Sequence, residues 1–346
     1  MDKTDPADFK EFIALHKDAV YKKLCEYLLP ESPEIFTKQI MPVYVHRKGQ
    51  YRRPSYLILW ALLYNGKLED SILPAAVQQL SEDWVLMHDD IMDNNELRRG
   101  LPAAHKLFGT DYAILGGDAL HVIMWKMAHE ASNRLGANGK RYFYKANDII
   151  LKTVYGQYID VRLTKEKTDI TKFTKDDYFE SIYAKSAYYS VFGPMQCGAI
   201  IAGQSDDVIE GIAEYGTPAG NAFQIKDDIL DCTSTEQKLG KTIGNDILEG
   251  TKTLILWHAV SNASTGELQE LKHIYTKPRS QKTAGDVTKA INMFMKLGSI
   301  AYAQSEAERL AAEAVKRFDK ATSHIKESHL KEIAREAIGY AAKRHE

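Results

Sequence analysis

The distribution of proline constrains this chain more than any other feature. It has 10 prolines. Pro6, Pro30, Pro33, Pro42 and Pro54 crowd the start, and only Pro194 and Pro218 fall between Pro102 and Pro278. Proline removes a backbone donor and clashes inside a helix, so its scarcity leaves the middle of the chain free for long helices. The apolar spacing uses that freedom. Phe9, Phe12, Ile13, Val20, Leu24, Tyr27 and Leu28 recur at helical intervals over 7–29. Residues 299–323 combine Ala, Glu, Arg and Lys with an apolar position every three or four. Segments 55–64, 75–93, 111–131, 141–163, 177–203, 207–231 and 251–263 read the same way. Short alternating β-branched runs with Asn-Gly turns are missing. Turn residues fall between the helical segments, at Asn65-Gly66, Arg99-Gly100-Leu101-Pro102, 136–139, 165–171 and 233–250. No linker composition and no solenoid repeat divides the sequence. The expectation is an all-α protein, one domain over 1–346.

Composition removes several function classes. Lys+Arg number 45 against 47 Asp+Glu, a net charge of -2, which gives no electrostatic case for general nucleic-acid binding. Hydrophobic residues at 44% and charged residues at 27% suit a packed globule and not a disordered chain. Cys25, Cys197 and Cys232 form no CxxC pair, which suits a reducing compartment and excludes a zinc ribbon. The start, MDKTDPADFKEF, lacks an apolar signal region, and no apolar run reaches the ~18 residues of a membrane span. A cytoplasmic protein is expected.

One short pattern occurs twice: Asp-Asp-Ile-Met-Asp at 89–93 and Asp-Asp-Ile-Leu-Asp at 227–231. Chance supplies on the order of 0.05 DDxxD matches in a chain of this length. Positions i and i+4 share a helix face, so Asp89 projects with Asp93 and Asp227 with Asp231. Like charges at that spacing destabilise a helix unless a cation sits between them. Carboxylates are hard ligands for Mg²⁺ or Ca²⁺, but neither segment has the glycine or loop length of an EF-hand. Mg²⁺ held by a few carboxylates keeps positions for water and phosphate oxygens, so two such clusters make a polyphosphate cage. Arg98-Arg99-Gly100 follows the first cluster and Gly240-Lys241 the second, placing cations beside it. No P-loop and no GxGxxG is present. Metal, cations and an apolar helical interior together suit departure of a diphosphate, leaving a carbocation in a dry pocket.

These motifs, in this order, resemble the trans-prenyl (isoprenyl) diphosphate synthase family over about residues 45–260. The most specific stretches are His88 to Asp93 with Arg98-Arg99-Gly100-Leu101-Pro102, and Phe223 to Asp231. Ala113 to Asp118, Gly156-Gln157, Lys185-Ser186 and Gly240-Lys241 leading to Asp246 support them. The resemblance implies an all-α helical bundle of the isoprenoid synthase type, usually a homodimer. It implies three Mg²⁺ per site, with Asp89, Asp90 and Asp93 from the first motif and Asp227, Asp228 and Asp231 from the second as the metal-binding set. Arg98, Lys185, Gln224 and Lys241 are the residues expected around the allylic diphosphate, Arg98 and Lys185 among the catalytic ones with Asp89, Asp93 and Asp227, and Lys252 is expected among the substrate-binding residues. Arg53, Arg99, Gln50 and Glu82 fall at the site of isopentenyl diphosphate. An allylic cation forms, the double bond of isopentenyl diphosphate attacks it, and a proton is lost.

The second substrate's site departs from the family pattern. Gly-Gly-Lys-Arg-x-Arg-Pro is replaced by Lys48-Gly49-Gln50-Tyr51-Arg52-Arg53-Pro54, so a lysine has become Gln50. Glu82 stands where His or Gln is usual, and an anion there repels a diphosphate unless protonated or turned away. The later Gly-Lys is Gly250-Thr251, with Lys252 one place on, a rotation of about 100°. Three readings follow. Arg52, Lys48 and Lys252 take over and isopentenyl diphosphate still binds; or another nucleophile, or a second allylic unit, is the acceptor; or the chain is a non-catalytic subunit, against which the intact acidic motifs argue. Product length in the family is limited by bulky residues before the first motif. Here these are Trp84 and Val85, and one aromatic at the fifth upstream position resembles archaeal-type geranylgeranyl synthases. The expected product is C15 to C20. His105 and His121 are expected to be packing residues, and Tyr183, Tyr188 and Tyr189 either line the pocket or pack.

Overall fold

The computed structural model describes residues 5–28, 33–166, 168–234 and 243–343. Its principal helices are α1 (Phe9–Cys25), α2 (Arg52–Leu63), α3 (Leu68–Met92), α4 (Thr110–Arg134), α5 (Gly139–Lys165) and α6 (Lys175–Ile182). A π-helix (Tyr183–Phe192) leads from α6 into α7 (Gly193–Ile201). There follow α8 (Asp206–Thr233), α9 (Leu254–Asn262), α10 (Thr265–Thr276), α11 (Ala284–Lys296), α12 (Ser299–Ala321) and α13 (His329–Lys343). The all-α expectation holds. Each helical segment read from apolar spacing lies on one or more of these elements, but 177–203 is not one regular helix. Its middle slips to i→i+5 bonding, a feature frequent at functional sites.

Pro218 lies inside α8. Its missing N–H would have bonded the Glu214 carbonyl. Arg317 on α12 fills that gap, donating from Nη1 to the Glu214 oxygen at 3.0 Å. A long-range partner thus keeps the helix continuous up to the second acidic motif.

The one sheet among the described residues is a hairpin, β1 (Leu97–Arg98) with β2 (Leu101–Pro102), Arg98 opposite Leu101. Arg99 and Gly100 form its turn with φ of 57° and 76°. Two positive values mark a type I′ turn, the geometry that suits a two-residue hairpin. This turn fixes the directions of Arg98 and Arg99 just after the first acidic motif.

α2 is enclosed along most of its length, from Pro54 to Ala61. Trp60 on it donates to the Tyr215 hydroxyl of α8 at 2.8 Å. One apolar cluster gathers α1 to α4, α7 and the first half of α8; a second gathers the later half of α8 with α9 to α12. Phe223 packs against both. Trp84 and Met87 anchor the motif-bearing end of α3 in the first cluster, and Ile225 and Ile229 anchor that of α8 in the second. Two glycines set the closeness of their neighbours. A Cβ on Gly117 of α4 would stand 2.4 Å from His88 Nε2, and one on Gly156 of α5 would stand 2.2 Å from the backbone nitrogen of Lys185. No helix among the described residues is long and apolar enough to cross a membrane.

Candidate active site

A cleft of about 1080 Å³ opens between α2, α3, α5, the π-helix and α8, and residues of both acidic motifs line it. Asp89 comes from α3; Asp227 and Asp228 come from α8. Asp89 accepts a hydrogen bond from Gln157 Nε2 at 3.0 Å. Lys185 Nζ lies 4.0 Å from Asp89 and donates to Asp160 at 2.6 Å. Burial pushes the Lys185 pKa down, but Asp160, Asp89 and Asp93 outweigh it and hold the amine above its ordinary value. Burial, then the charge of Asp89, pushes the Asp93 carboxyl up to about 8. Those two acids repel each other across one turn, as their spacing implied.

The remaining motif aspartates do not join them. Asp90 is closed off from solvent. It accepts from Tyr44 Oη at 2.6 Å, Asn95 Nδ2 at 2.8 Å and Arg98 Nε at 3.0 Å, with Arg98 Nη2 also bonded. Asp90 therefore leaves the expected metal set: one residue from Asp89 along a helix is a rotation of about 100°, which turns it inward. Asp231 is likewise fully buried and accepts the Asp246 N–H at 3.1 Å. Asp228 reaches the cleft, but its two oxygens accept from Tyr178 Oη at 2.7 Å and Gln224 Nε2 at 2.8 Å. These three carboxylates hold the loops and helices beside the site. Asp89 and Asp227 line the cleft, and Asp93 lies one turn beyond Asp89 at the end of α3.

Gln224 lines the cleft and accepts from Ser186 Oγ at 2.6 Å. Arg98 lines it too, braced by Asp90. Lys241 lies outside the described residues. Lys252 is not among the cleft-lining residues. It is buried, donates to the Gly250 carbonyl at 2.8 Å and sits 5.6 Å from the Tyr275 ring centroid. Its assignment to the substrate is corrected: the one-place shift has turned it into the protein. Burial, then the charge of Lys282, lowers its pKa to about 8.

At the other end of the cleft, Glu82 is not turned away but lines it. Its Oε1 lies 3.1 Å from Arg53 Nη1 and 3.7 Å from Arg99 Nη2. Burial raises its pKa, but Arg53, Arg99 and Arg98 more than offset this and hold it below the usual carboxylate range. Arg53 also donates to Ser190 Oγ at 2.9 Å, and Arg99 to Asp83 at 2.8 Å. Gln50 lines the same end, on a loop where Lys48 and Tyr51 have φ of 48° and 56°. Non-glycine residues held there store strain, which clusters at functional sites.

Trp84 and Val85 line the cleft on α3, N-terminal to Asp89. The Trp84 ring packs 4.5 Å from that of His121, which accepts the Trp125 indole N–H at 2.8 Å. His121 is a packing residue as expected. His105 is packed as well, with both ring nitrogens buried and making no hydrogen bond among the described residues. Of the three tyrosines, Tyr189 lines the cleft, Tyr188 donates to Asp148 at 2.6 Å, and Tyr183 packs at a tilt against Phe192.

A family model for polyprenyl synthetases matches residues 35–294. The chain belongs to this family. A short chain isoprenyl diphosphate synthase of Methanothermobacter thermautotrophicus is 36% identical over 264 residues, 75% of this chain and 76% of that one. A geranylgeranyl diphosphate synthase of Methanosarcina mazei is 35% identical over 250 residues, 70% of this chain and 72% of that one. The solved geranylgeranyl pyrophosphate synthetase of Pyrococcus horikoshii superposes with a TM-score of 0.81 at 28% identity, covering 97% of this chain and 99% of the other.

Seen as a polyprenyl synthetase, the chain holds site residues that motif reading missed. Asp160 is one, and its signal was there: it follows Gly156 by four, on the face of α5 that meets Lys185. Tyr44 and Tyr178 are others. They hold the second aspartate of each motif in the same way, and nothing near the motifs in sequence announces them. No three Asp, Glu, His or Cys side chains among the described residues form a ready-made metal centre. The residues nonetheless fit Mg²⁺. The Asp93 carboxyl is raised by burial and then by its acidic neighbour, and acids from two helices line a cleft that leaves ligand positions for phosphate oxygens.

Proposed function

We propose that this polyprenyl synthetase joins an allylic diphosphate to isopentenyl diphosphate, yielding a diphosphate of 15 to 20 carbons. The observation that carries the reading is the meeting of both acidic motifs with Lys185 and Arg98 in one cleft whose far part is apolar. Asp89, Asp93 and Asp227 would hold Mg²⁺, three ions per site by resemblance, which when bound neutralises the charge that develops on the departing diphosphate. Arg98, Lys185 and Gln224 orient that diphosphate. Val85, Leu86, Ile150 and Phe223 keep water from the allylic cation. The allylic C–O bond breaks, a C–C bond forms to the isopentenyl double bond, and the proton lost passes to the released diphosphate. Transfer to a different acceptor is not favoured, since the relatives are named as diphosphate synthases.

The test is a product assay with Mg²⁺ and dimethylallyl, geranyl or farnesyl diphosphate, each with and without isopentenyl diphosphate. Isopentenyl-dependent C15 or C20 product is expected. Chains of C30 or more would overturn the length, and diphosphate release without elongation would overturn the acceptor.

The protein pairs with a second copy of itself through α4 and α5. Tyr112, Leu115 and Val122 on α4, and Tyr144, Leu151, Tyr155 and Tyr158 on α5, leave an apolar face in solvent, with Val122 at 69% exposure. Tyr158 also lines the cleft, so this face adjoins the tail-binding wall. Sedimentation should give a dimer, and Val122→Asp with Tyr155→Asp a monomer; a monomeric wild type would refute this.

A further inference from the structure

We infer that Arg52, a position outside the family's basic pattern, is the residue that grips the diphosphate of isopentenyl diphosphate in this enzyme. This rests on the isopentenyl reading above. The site lost an ammonium where Gln50 stands, and its two matching arginines are already occupied. Arg53 faces Glu82 at 3.1 Å and Ser190 at 2.9 Å; Arg99 faces Asp83 at 2.8 Å and the Tyr44 carbonyl. Two guanidinium groups against two carboxylates leave no net positive charge there for a diphosphate.

The other nearby cations are placed differently. Lys48 lines the cleft too, but its ammonium turns to Asp18 on α1 at 3.2 Å and lies 4.3 Å from the Tyr21 ring centroid. Lys252 is buried behind the site. Arg47 lines the cleft, tied to the Arg98 carbonyl at 3.1 Å. Arg52 opens α2 and lines the cleft. Its guanidinium carbon lies 5.5 Å from the Phe223 centroid and 5.8 Å from that of Tyr340, and among the described residues no hydrogen bond or ion pair reaches it. Burial lowers its pKa, and the more distant charge of Glu82 does not make up the difference. A half-buried charge without a close partner is costly. Rings attract a guanidinium through their faces, which leaves its in-plane N–H groups for a bidentate oxyanion. A substrate that arrives as an anion supplies the missing charge. Arg53, which follows it on α2, and Glu82, whose charge reaches it, both belong to the isopentenyl end, so Arg52 stands beside the acceptor's place.

The experiment is steady-state kinetics of the full chain with Mg²⁺ and a saturating allylic diphosphate, varying isopentenyl diphosphate, then the reverse. Arg52→Gln should raise the isopentenyl KM by roughly 10- to 100-fold, the range for a hydrogen bond to a charged group. The allylic KM should stay within about two-fold, the mark of one substrate's binding being lost. Arg52→Lys, which keeps the charge and most of the stem, should fall between the wild type and Arg52→Gln. Glu82→Gln added to Arg52→Gln should restore part of the affinity by freeing Arg53 and Arg99. The proposal is overturned if Arg52→Gln leaves the isopentenyl KM unchanged, raises both KM values alike, or is matched by Arg47→Gln. If Arg52→Gln does not fold, Arg52→Lys decides alone: an isopentenyl KM equal to that of the wild type overturns it. A wild type that elongates nothing with isopentenyl diphosphate would sink the underlying reading instead.

Discussion

Replacing Trp84 by Ala should lengthen the product. The indole lines the cleft five residues before Asp89, which places it about 7.5 Å down the α3 axis from the diphosphate end. It rests on α4, 4.5 Å from the His121 ring, with its N–H directed at Met124 Sδ at 3.4 Å. α4 is a continuous helix that stays in place when the indole goes, so the space it leaves belongs to the tail. Burial of one CH₂ is worth about 0.8 kcal/mol, so a further five-carbon unit gains up to about 4 kcal/mol once the plug is absent. At about 1.4 kcal/mol per ten-fold, that is nearly three orders of magnitude in the choice between release and another addition. The truncation also costs about 3–5 kcal/mol of stability, so circular dichroism should accompany the assay, with Trp84→Leu as a milder companion. Products from farnesyl and isopentenyl diphosphates are separated by mass. The variant should make C25 or longer as its main product, and Trp84→Leu a mixture. A folded Trp84→Ala that keeps the wild-type length would refute Trp84 as the floor.

Val85 lines the same wall one turn from Asp89, so Val85→Phe should shorten the product by one unit; unchanged length in the same assay would count against it. Gly156→Ala should destabilise by roughly 1–3 kcal/mol, the usual cost of overpacking, because the new methyl meets the Lys185 backbone nitrogen at 2.2 Å and backbone cannot yield as a side chain can. Urea unfolding measures that, and kcat should fall with it as Lys185 is displaced. Burial, outweighing the charge of Arg99, raises the Asp83 pKa from 3.8 to about 6. The unfolded chain releases this proton near pH 4 and the folded one near pH 6, so across that window the folded state binds more protons and stability falls as pH rises. Asp83→Asn removes the slope and should gain about 3 kcal/mol relative to wild type between pH 4 and pH 7. An equal effect of the substitution at both pH values would refute it.

The all-α architecture was legible because two independent signals agreed, sparse proline and helical apolar spacing. The π-helix was not, because a slip from i→i+4 to i→i+5 bonding leaves the same residue types in place and only re-aims them. That slip lies under Lys185, Ser186, Tyr189 and Ser190, which all line the cleft. Helix geometry already separates Asp89 and Asp93, on one face, from Asp90, about 100° away; the three-aspartate expectation followed the motif as a unit and lost that distinction. The partners that fix the inward pair, Tyr44 for Asp90 and Tyr178 for Asp228, stand 46 and 50 residues away, beyond any local signal.

Glu82 shows the sharper limit. From sequence it is an anion at a diphosphate site, and Coulomb's law gives the sign of its effect on an approaching substrate. That sign is reversed in meaning by two guanidinium groups that arrive from α2 and from the hairpin turn. Once Arg53 and Arg99 are bound to it, the question is no longer whether Glu82 repels the substrate. It is which cation it has left unpaired, and only the packing of α2 against Phe223 and Tyr340 makes that Arg52.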